Sequence, residues 1–416
     1  MNSSMLLKLF EYSIEPVLKK YLKINPLQFG FTHDSNCAKA ITMLKEIVMN
    51  YKNGGSSVYV ASIDMSKAYD KINCNILIDK LLSTDLPIPI IKIIAFMLKN
   101  TYANIRFNDY VGDEFHIKNG VRQGGVLSSL LFNFYINEVI DKISSLNYGC
   151  SINYKRCNII GYADDLIAVS SSSVGLQNIL DLLGATLQSL CLKINITKSV
   201  YMIFKSKKSK IFDHKIYLCG NELCRVTQIK YLGVIITDNL HLDAEIGRAS
   251  GDFLKQFNSF YYKFNFLPDN ILSYLFKTYT SGFYGCNVWF EQCLSDNKLR
   301  KISVIYHKAV KKVAGMRPWD SNHDACSSVR VNIFKHLLAK RIFNHFKSLI
   351  SSSNAVISTL KYYFMFKSNI NSYMTSLFEN VYGLNNYKFN DNNAIRSRID
   401  FTEQHEPRSF YNQAVA

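Results

Sequence analysis

The spacing of apolar residues switches repeatedly between a helical and a strand-like pattern, and the switches divide the chain into elements. Ala38, Ile41, Leu44, Ile47 and Val48 fall three or four residues apart, which predicts a helix over 35–51, and Asn53-Gly54-Gly55-Ser56-Ser57 breaks it. Val58 to Ile63 is a β-favouring run that ends at Asp64, after which 66–82 returns to helical spacing. The prolines Pro87 and Pro89 exclude helix at the residues before them, so the next helix is expected at 90–98. A polar stretch, 119–125, leads into an apolar helical pattern over 126–143. Two short strands, 158–163 and 166–169, flank Asp164-Asp165 as a tight hairpin, and the serine run 170–173 opens a helix to about Cys191. A strand pair is expected at 199–204 and 229–236. Strands and helices thus alternate to about residue 237. From there, aromatic-rich helical patterns run to about residue 380, which puts a domain boundary near Asp238 and a polar tail from Asn385.

Composition narrows the class. With 416 residues, 48% hydrophobic and 19% charged, the chain has apolar side chains enough for a sizeable core and is expected to form two to three domains. Its net charge of +17 favours polyanionic partners, nucleic acid before an anionic membrane surface. The longest apolar run, 88–98, is interrupted by Lys92 and falls short of the roughly 18 residues of a spanning helix, so no membrane role is expected. The first 17 residues do not have the layout of a signal peptide. Ten cysteines without a C-x-x-C pair read as reduced, mostly buried thiols; only Cys219 with Cys224 comes near zinc-site spacing.

The chemistry-bearing residues lie at strand ends. Asp64, Asp164 and Asp165 each stand where a carboxylate projects from a rigid edge, and three oxygen donors without histidine or cysteine suit Mg²⁺. Aspartate is also common at strand ends for local turn bonding, so each one alone is compatible with a structural role.

The neighbours of these aspartates resemble, box after box and in order, the reverse transcriptases of non-LTR (LINE-like) retrotransposons over roughly residues 27 to 320. Gln28-Phe29-Gly30-Phe31 resembles the QFGF segment between fingers and palm. Asp64 to Asp70 resembles the first palm motif, D-x-x-x-A-F/Y-D, and 120–128 is similar to GVPQGSVLSP. Tyr162-Ala163-Asp164-Asp165 is the YADD box, Asn195 with Lys198 matches N-x-x-K, and 231–234 resembles the primer-grip segment. Tyr284-Gly285 with Trp289 resembles the YG-x-x-x-W string of the thumb. Arg122 and Ser129 replace two prolines of the family pattern.

The resemblance implies an α+β, right-hand polymerase: partial fingers over 1–57, a palm with a small antiparallel sheet over 58–237, a helical thumb over 238–384 and a polar tail over 385–416. It implies RNA-directed DNA synthesis from an RNA template, a DNA primer and deoxynucleoside triphosphates, in an intracellular protein that is nuclear where such an element is active. Asp64, Asp164 and Asp165, with the main-chain carbonyl of Met65, would hold two Mg²⁺ ions, Mn²⁺ being an alternative. Tyr69 would act as a steric gate against the ribose 2′-OH, and Gln123 and Gly124 would meet nucleotide and template. Lys198 would protonate or neutralise the departing pyrophosphate, and Tyr231, Leu232 and Gly233 would grip the primer.

One thumb feature is readable without the resemblance. Leu299, Ile302, Tyr306, Ala309 and Val313 share a helical face, with Lys301, Lys308, Lys311 and Lys312 opposite, a stripe suited to duplex phosphates or simply to solvent. The lysines at 205, 207, 208 and 210 suit a solvated loop or a localisation signal. The family's first fingers motifs, with the basic residues that clamp triphosphate, are expected before Gln28, where only 27 residues stand. That keeps a second function open, a truncated and catalytically inactive derivative that binds nucleic acid.

Overall fold

The computed structural model describes residues 5–208, 214–280, 282–289 and 296–360; Lys210 and the tail over 385–416 lie outside them. The described chain forms two compact units. The first comprises Met1–Arg248 together with Ser352–Ile357, and the second begins at Ala249, some ten residues beyond the expected boundary.

The first unit is built on one sheet. Helices α1 (Met5–Tyr21) and α2 (Cys37–Asn53) precede strand β1 (Val58–Ile63). Asn36 caps α2 by accepting the Lys39 amide, which satisfies one of the open N–H groups of the first turn. The single helix expected over 66–82 is instead a 3₁₀ turn, Ala68–Lys71, and a separate helix α3 (Cys74–Leu82). The reason is tertiary: the amides of Gly120 and Val121 take the carbonyls of Ile72 and Tyr69, which a continuous helix would have used itself. Helix α4 (Ile88–Lys99) starts earlier than expected, because Pro89 in a first turn lacks only an N–H that has no helical partner. Helix α5 (Ser128–Ser144) follows the glycine-rich loop, then strands β2 (Ile159–Tyr162) and β3 (Asp165–Ser170), helix α6 (Ser173–Ser189), and strand β4 (Val200–Phe204).

Strand β1 lies between β4 and β3, antiparallel to both, with Val58 opposite Phe204 and Ile63 opposite Leu166. Strand β2 extends the sheet beyond β3, and β5 (Cys224–Arg225) adds a short parallel edge to β4. Every residue from Leu166 to Ser170 is buried. Successive side chains point to opposite faces, so the middle of the sheet is covered on both sides. Helices α2, α5 and α6 pack against it.

The expected strand over 229–236 is a hairpin of β6 (Gln228–Tyr231) and β7 (Val234–Thr237). Leu232 and Gly233 both take positive φ, +45° and +80°, the two-residue turn that reverses a strand with the right twist. Strand β4 therefore pairs with β1 and not with this segment. The hairpin is tied to helix α7 (Asp243–Phe264) by Glu245, whose fully buried carboxylate accepts the Ile235 amide at 2.8 Å and two bonds from Arg248.

The second unit is helical, with α8 (Asp269–Tyr279), α9 (Asp296–Val313), α10 (Asn322–Val329) and α11 (Phe334–Ile350). Its core is aromatic. Phe253, Phe283, Tyr306 and Phe334 meet ring to ring with centroids 4.7 to 6.1 Å apart, within the favourable range for such contacts. Ile302, Tyr306, Ala309 and Val313 are buried, as their spacing predicts. The lysine stripe needs one correction. Lys301, Lys308 and Lys312 are exposed, Lys312 lying over the Tyr261 ring at 4.2 Å, but Lys311 is buried and donates to the Pro318 carbonyl. The chain turns back after Gly315 and brings that carbonyl to the end of the helix.

Among the described residues the cysteines are unlinked thiols, with five buried and Cys191, Cys219 and Cys224 exposed. No described helix is long and apolar enough to cross a membrane.

Candidate active site

Sheet register brings the three aspartates to one edge. Ile63 faces Leu166, so the next residue of each strand toward that edge is Asp64 on one side and Asp165 on the other. Neighbouring strands stand about 4.8 Å apart, close enough for the two carboxylates to repel. Asp164 occupies the two-residue turn between Tyr162 and Asp165, which pair across the hairpin. Electrostatics report the crowding. Loss of surrounding water, then the charge of Asp64, raises the Asp164 pKa, and Asp165 is pushed up to about 6 by loss of water and by the charges of Asp164 and Asp64.

Two polar clamps hold the backbone that carries these charges. The first holds the turn. Ala163 sits at φ +53°, a left-handed conformation that costs a residue with a Cβ roughly 1 kcal/mol or more. Gln28, almost fully buried, accepts the Ala163 amide at 2.9 Å through Oε1 and donates Nε2 to the Ala163 carbonyl at 3.4 Å. The same Oε1 accepts the Gly30 amide, and main-chain bonds between Phe29 and Gly161 and between Gly161 and Leu27 fix the segment to the hairpin. Gly30 is a necessity of this approach: a Cβ there would lie 2.3 Å from the Ala163 nitrogen. Asn133 of α5 secures it from the far side, donating to the Gly30 carbonyl at 2.6 Å.

The second clamp holds Asp64. Its amide donates to the Ser199 hydroxyl and its carbonyl accepts the Asn195 amide at 2.8 Å. Ser199 in turn donates to the Asn195 carbonyl, so the N-x-x-K turn is a brace for the Asp64 peptide. Lys198 rides on this turn with its side chain exposed. Met65 follows with its main chain bridged to Ile194.

The ring of Tyr69 stacks on Phe132 at 4.5 Å, and burial with the nearby Asp164 charge pushes its hydroxyl pKa up to about 12. Gln123 donates to Asp70 at 3.1 Å, which joins the glycine-rich loop to the segment bearing Tyr69. Gly124 has φ +83° and nothing within 4 Å of where a Cβ would stand, so that backbone is open to close approach. Buried Glu11 of α1 supports the loop by accepting the Val126 amide at 2.5 Å.

Asp64, Asp164, Asp165, Tyr69, Gln123 and Gly124 thus belong to one unit, in which register gathers the aspartates, the Asp164 charge reaches Tyr69, and Gln123 bonds to Asp70. Tyr231 is buried, with Leu232 and Gly233 partly exposed at the hairpin tip. Lys301, Lys308, Lys311 and Lys312 belong to the second unit. Among the described residues, no three histidine, cysteine, aspartate or glutamate side chains are gathered closely enough to enclose a metal ion by themselves. The three crowded carboxylates are an open, oxygen-only donor set instead. That fits a divalent cation such as Mg²⁺, which keeps water and substrate phosphate among its ligands.

Sequence reading assigned no role to Glu11, Asn133 or Ser199. Glu11 and Asn133 carry one visible signal, a polar residue on an otherwise apolar helical face.

A small, mainly antiparallel sheet with crowded carboxylates at one edge, and a glycine-rich loop joined through Gln123 to Asp70, is the arrangement that the motif resemblance implies for a polymerase palm. The family model for reverse transcriptase (RNA-dependent DNA polymerase) matches residues 2–236, more than half of the chain, and the chain belongs to that family. The match includes α1, which lies ahead of the first box quoted from the sequence. Among its relatives is the Pol polyprotein of the type-1 retrotransposable element R2 of Nasonia vitripennis, 29% identical over 208 residues, covering 48% of this chain and 20% of that one. The R2DM element of Drosophila melanogaster is 26% identical over 231 residues, covering 53% and 21%. Both support the non-LTR branch, and the chain spans about a fifth of their length. Apo telomerase from Candida tropicalis is similar with a TM-score of 0.41 at 12% identity, covering 90% of this chain and 58% of that one.

Replacing Gln28 by alanine leaves the two Ala163 groups and the Gly30 amide buried without partners, which is expected to cost about 3 kcal/mol of stability. Urea denaturation of the variant beside wild type measures it. Equal midpoints and slopes would show that the turn holds itself.

Proposed function

We propose that this chain carries the catalytic centre of an RNA-directed DNA polymerase, joining a deoxynucleoside triphosphate to a DNA primer on an RNA template. The observation that carries this reading is the set of three coupled carboxylates on rigid, clamped backbone. Two Mg²⁺ ions, or Mn²⁺ in their place, bound by Asp64, Asp164, Asp165 and the Met65 carbonyl, would supply charge stabilisation for the attacking and leaving oxygens. Raised carboxylate pKa values belong to a site that gains from a nearby positive charge.

The chain's own residues account for the rest. Tyr69, wedged on Phe132, has a fixed ring beside Asp164, where it would exclude a 2′-OH. Gly124 leaves room for backbone to approach the nucleotide or template, with Gln123 beside it. Lys198, on the turn that braces Asp64, is suited to deliver a proton to departing pyrophosphate or to neutralise it. Leu232 and Gly233 at the hairpin tip, with the exposed Lys301, Lys308 and Lys312, are candidates for the duplex. Such phosphate contacts would make binding fall as salt rises.

Primer extension on an RNA template, wild type beside Asp164→Asn, tests the reading. Loss of one metal ligand is expected to lower the rate by at least about a hundredfold, with metal-free hybrid binding unchanged at each of two salt concentrations. Equal extension by both proteins would refute the site. Salt-dependent binding by both with extension by neither would favour the inactive nucleic-acid-binding derivative. In the same assay Tyr69→Val is expected to raise ribonucleotide use relative to deoxynucleotide; unchanged selectivity would return Tyr69 to a packing role.

A further inference from the structure

Tyr231 does not fit the primer-contact role that its motif implies, because its side chain is 2% exposed. Its hydroxyl also has no hydrogen-bond partner among the described residues, although a buried phenol normally finds one. The groups that stand near enough to act on it electrostatically are Asp165, Cys37 and Tyr162. A thiol is a weak acceptor and a second phenol a modest one, whereas an ionised carboxylate accepts on both oxygens. The Asp165 side chain, for its part, accepts no hydrogen bond among the described residues. A buried donor without an acceptor therefore lies within electrostatic reach of an acceptor without a donor.

The donor's position is fixed. Tyr231 pairs with Val234 across the hairpin, and the next pair, Lys230 with Ile235, includes the amide that Glu245 of α7 grips. Asp165 stands at the exposed start of β3. We propose that Tyr231 is a positioning residue whose hydroxyl donates to one oxygen of Asp165 and leaves the other oxygen directed at a divalent cation. This rests on the metal-binding reading above and adds a donor to it. The bond would stop Asp165 from turning out to solvent when the cation is absent.

Mn²⁺ titration of the full chain without nucleic acid, followed by electron paramagnetic resonance, tests the proposal with three proteins. Wild type is expected to bind. Asp165→Asn is expected to lose most of that binding, and Tyr231→Phe to weaken it about tenfold, the scale of one hydrogen bond to a charged group. Melting of Tyr231→Phe in chelator verifies its fold, since the change removes one oxygen and no carbon. Its metal-free binding of an RNA–DNA hybrid is expected to equal wild type. Unchanged Mn²⁺ affinity in Tyr231→Phe would overturn the proposal and leave a merely buried phenol. Weakened metal-free hybrid binding would overturn it in favour of a primer contact. If Asp165→Asn binds Mn²⁺ like wild type, the metal reading itself fails, and the proposal falls with it.

Discussion

Three carboxylates at the edge of one small sheet repel one another, and the surrounding structure is arranged to hold them there. Asp64 and Asp165 are next in register on adjacent strands, and Asp164 stands in a turn whose preceding alanine has a left-handed backbone. Left alone, such a turn would relax toward ordinary φ and carry the charges apart. Gln28 prevents this at Ala163, and Asn195 with Ser199 prevents it at Asp64. Both clamps grip main chain and leave the carboxylate oxygens available.

The same logic extends outward in rings. Gly30 lets the Gln28 segment close on the turn, and Asn133 ties that segment to α5. Glu11 steadies the glycine-rich loop at the start of α5, and Glu245 steadies the hairpin that carries Tyr231. The segment Ser352–Ile357 returns to the first unit and is held by Asp34, whose carboxylate accepts from buried Lys39, from Ser352 and from the Ser353 amide. These bonds hold the Asp34 pKa well below the usual carboxylate range despite burial. The chain thus leaves the first unit after Arg248 and is fastened to it again a few residues beyond the QFGF segment. Buried polar residues carry much of this framework, and Gln28, Glu245 and Lys39 each bond to main chain or to an opposite charge, the condition under which such groups specify a fold instead of weakening it.

Much of this was legible in the sequence because it is local. Strand β1, the YADD hairpin and helices α2, α5 and α6 follow from spacing and turn chemistry within a few residues. The motif boxes identified the family and the three aspartates. What was not legible depends on groups distant in sequence. Gln28 and Ala163 are 135 residues apart, and Asp64 and Ser199 equally far, so no pattern within either segment announces the bond. The carbonyls of Tyr69 and Ile72 are claimed by the glycine-rich loop, which is why helical spacing over 66–82 failed to give one helix. Lys311 has the right phase for an exposed stripe and is buried only because the following turn returns Pro318 to it. Tyr231 reads as a contact residue in its motif, but the fold covers it.

Thermal melting of wild type beside a variant with Asp64, Asp164 and Asp165 all changed to asparagine, at neutral pH, in chelator and then in Mg²⁺, measures the central balance directly. In chelator the variant is expected to melt higher, because the repulsion is gone while the clamps remain. Added Mg²⁺ is expected to raise wild type in a saturable way and to leave the variant unmoved, since only the native site gains from binding. A variant that melts lower in chelator, or a wild type indifferent to Mg²⁺, would contradict the view that clamped, mutually repelling carboxylates await a cation at this edge.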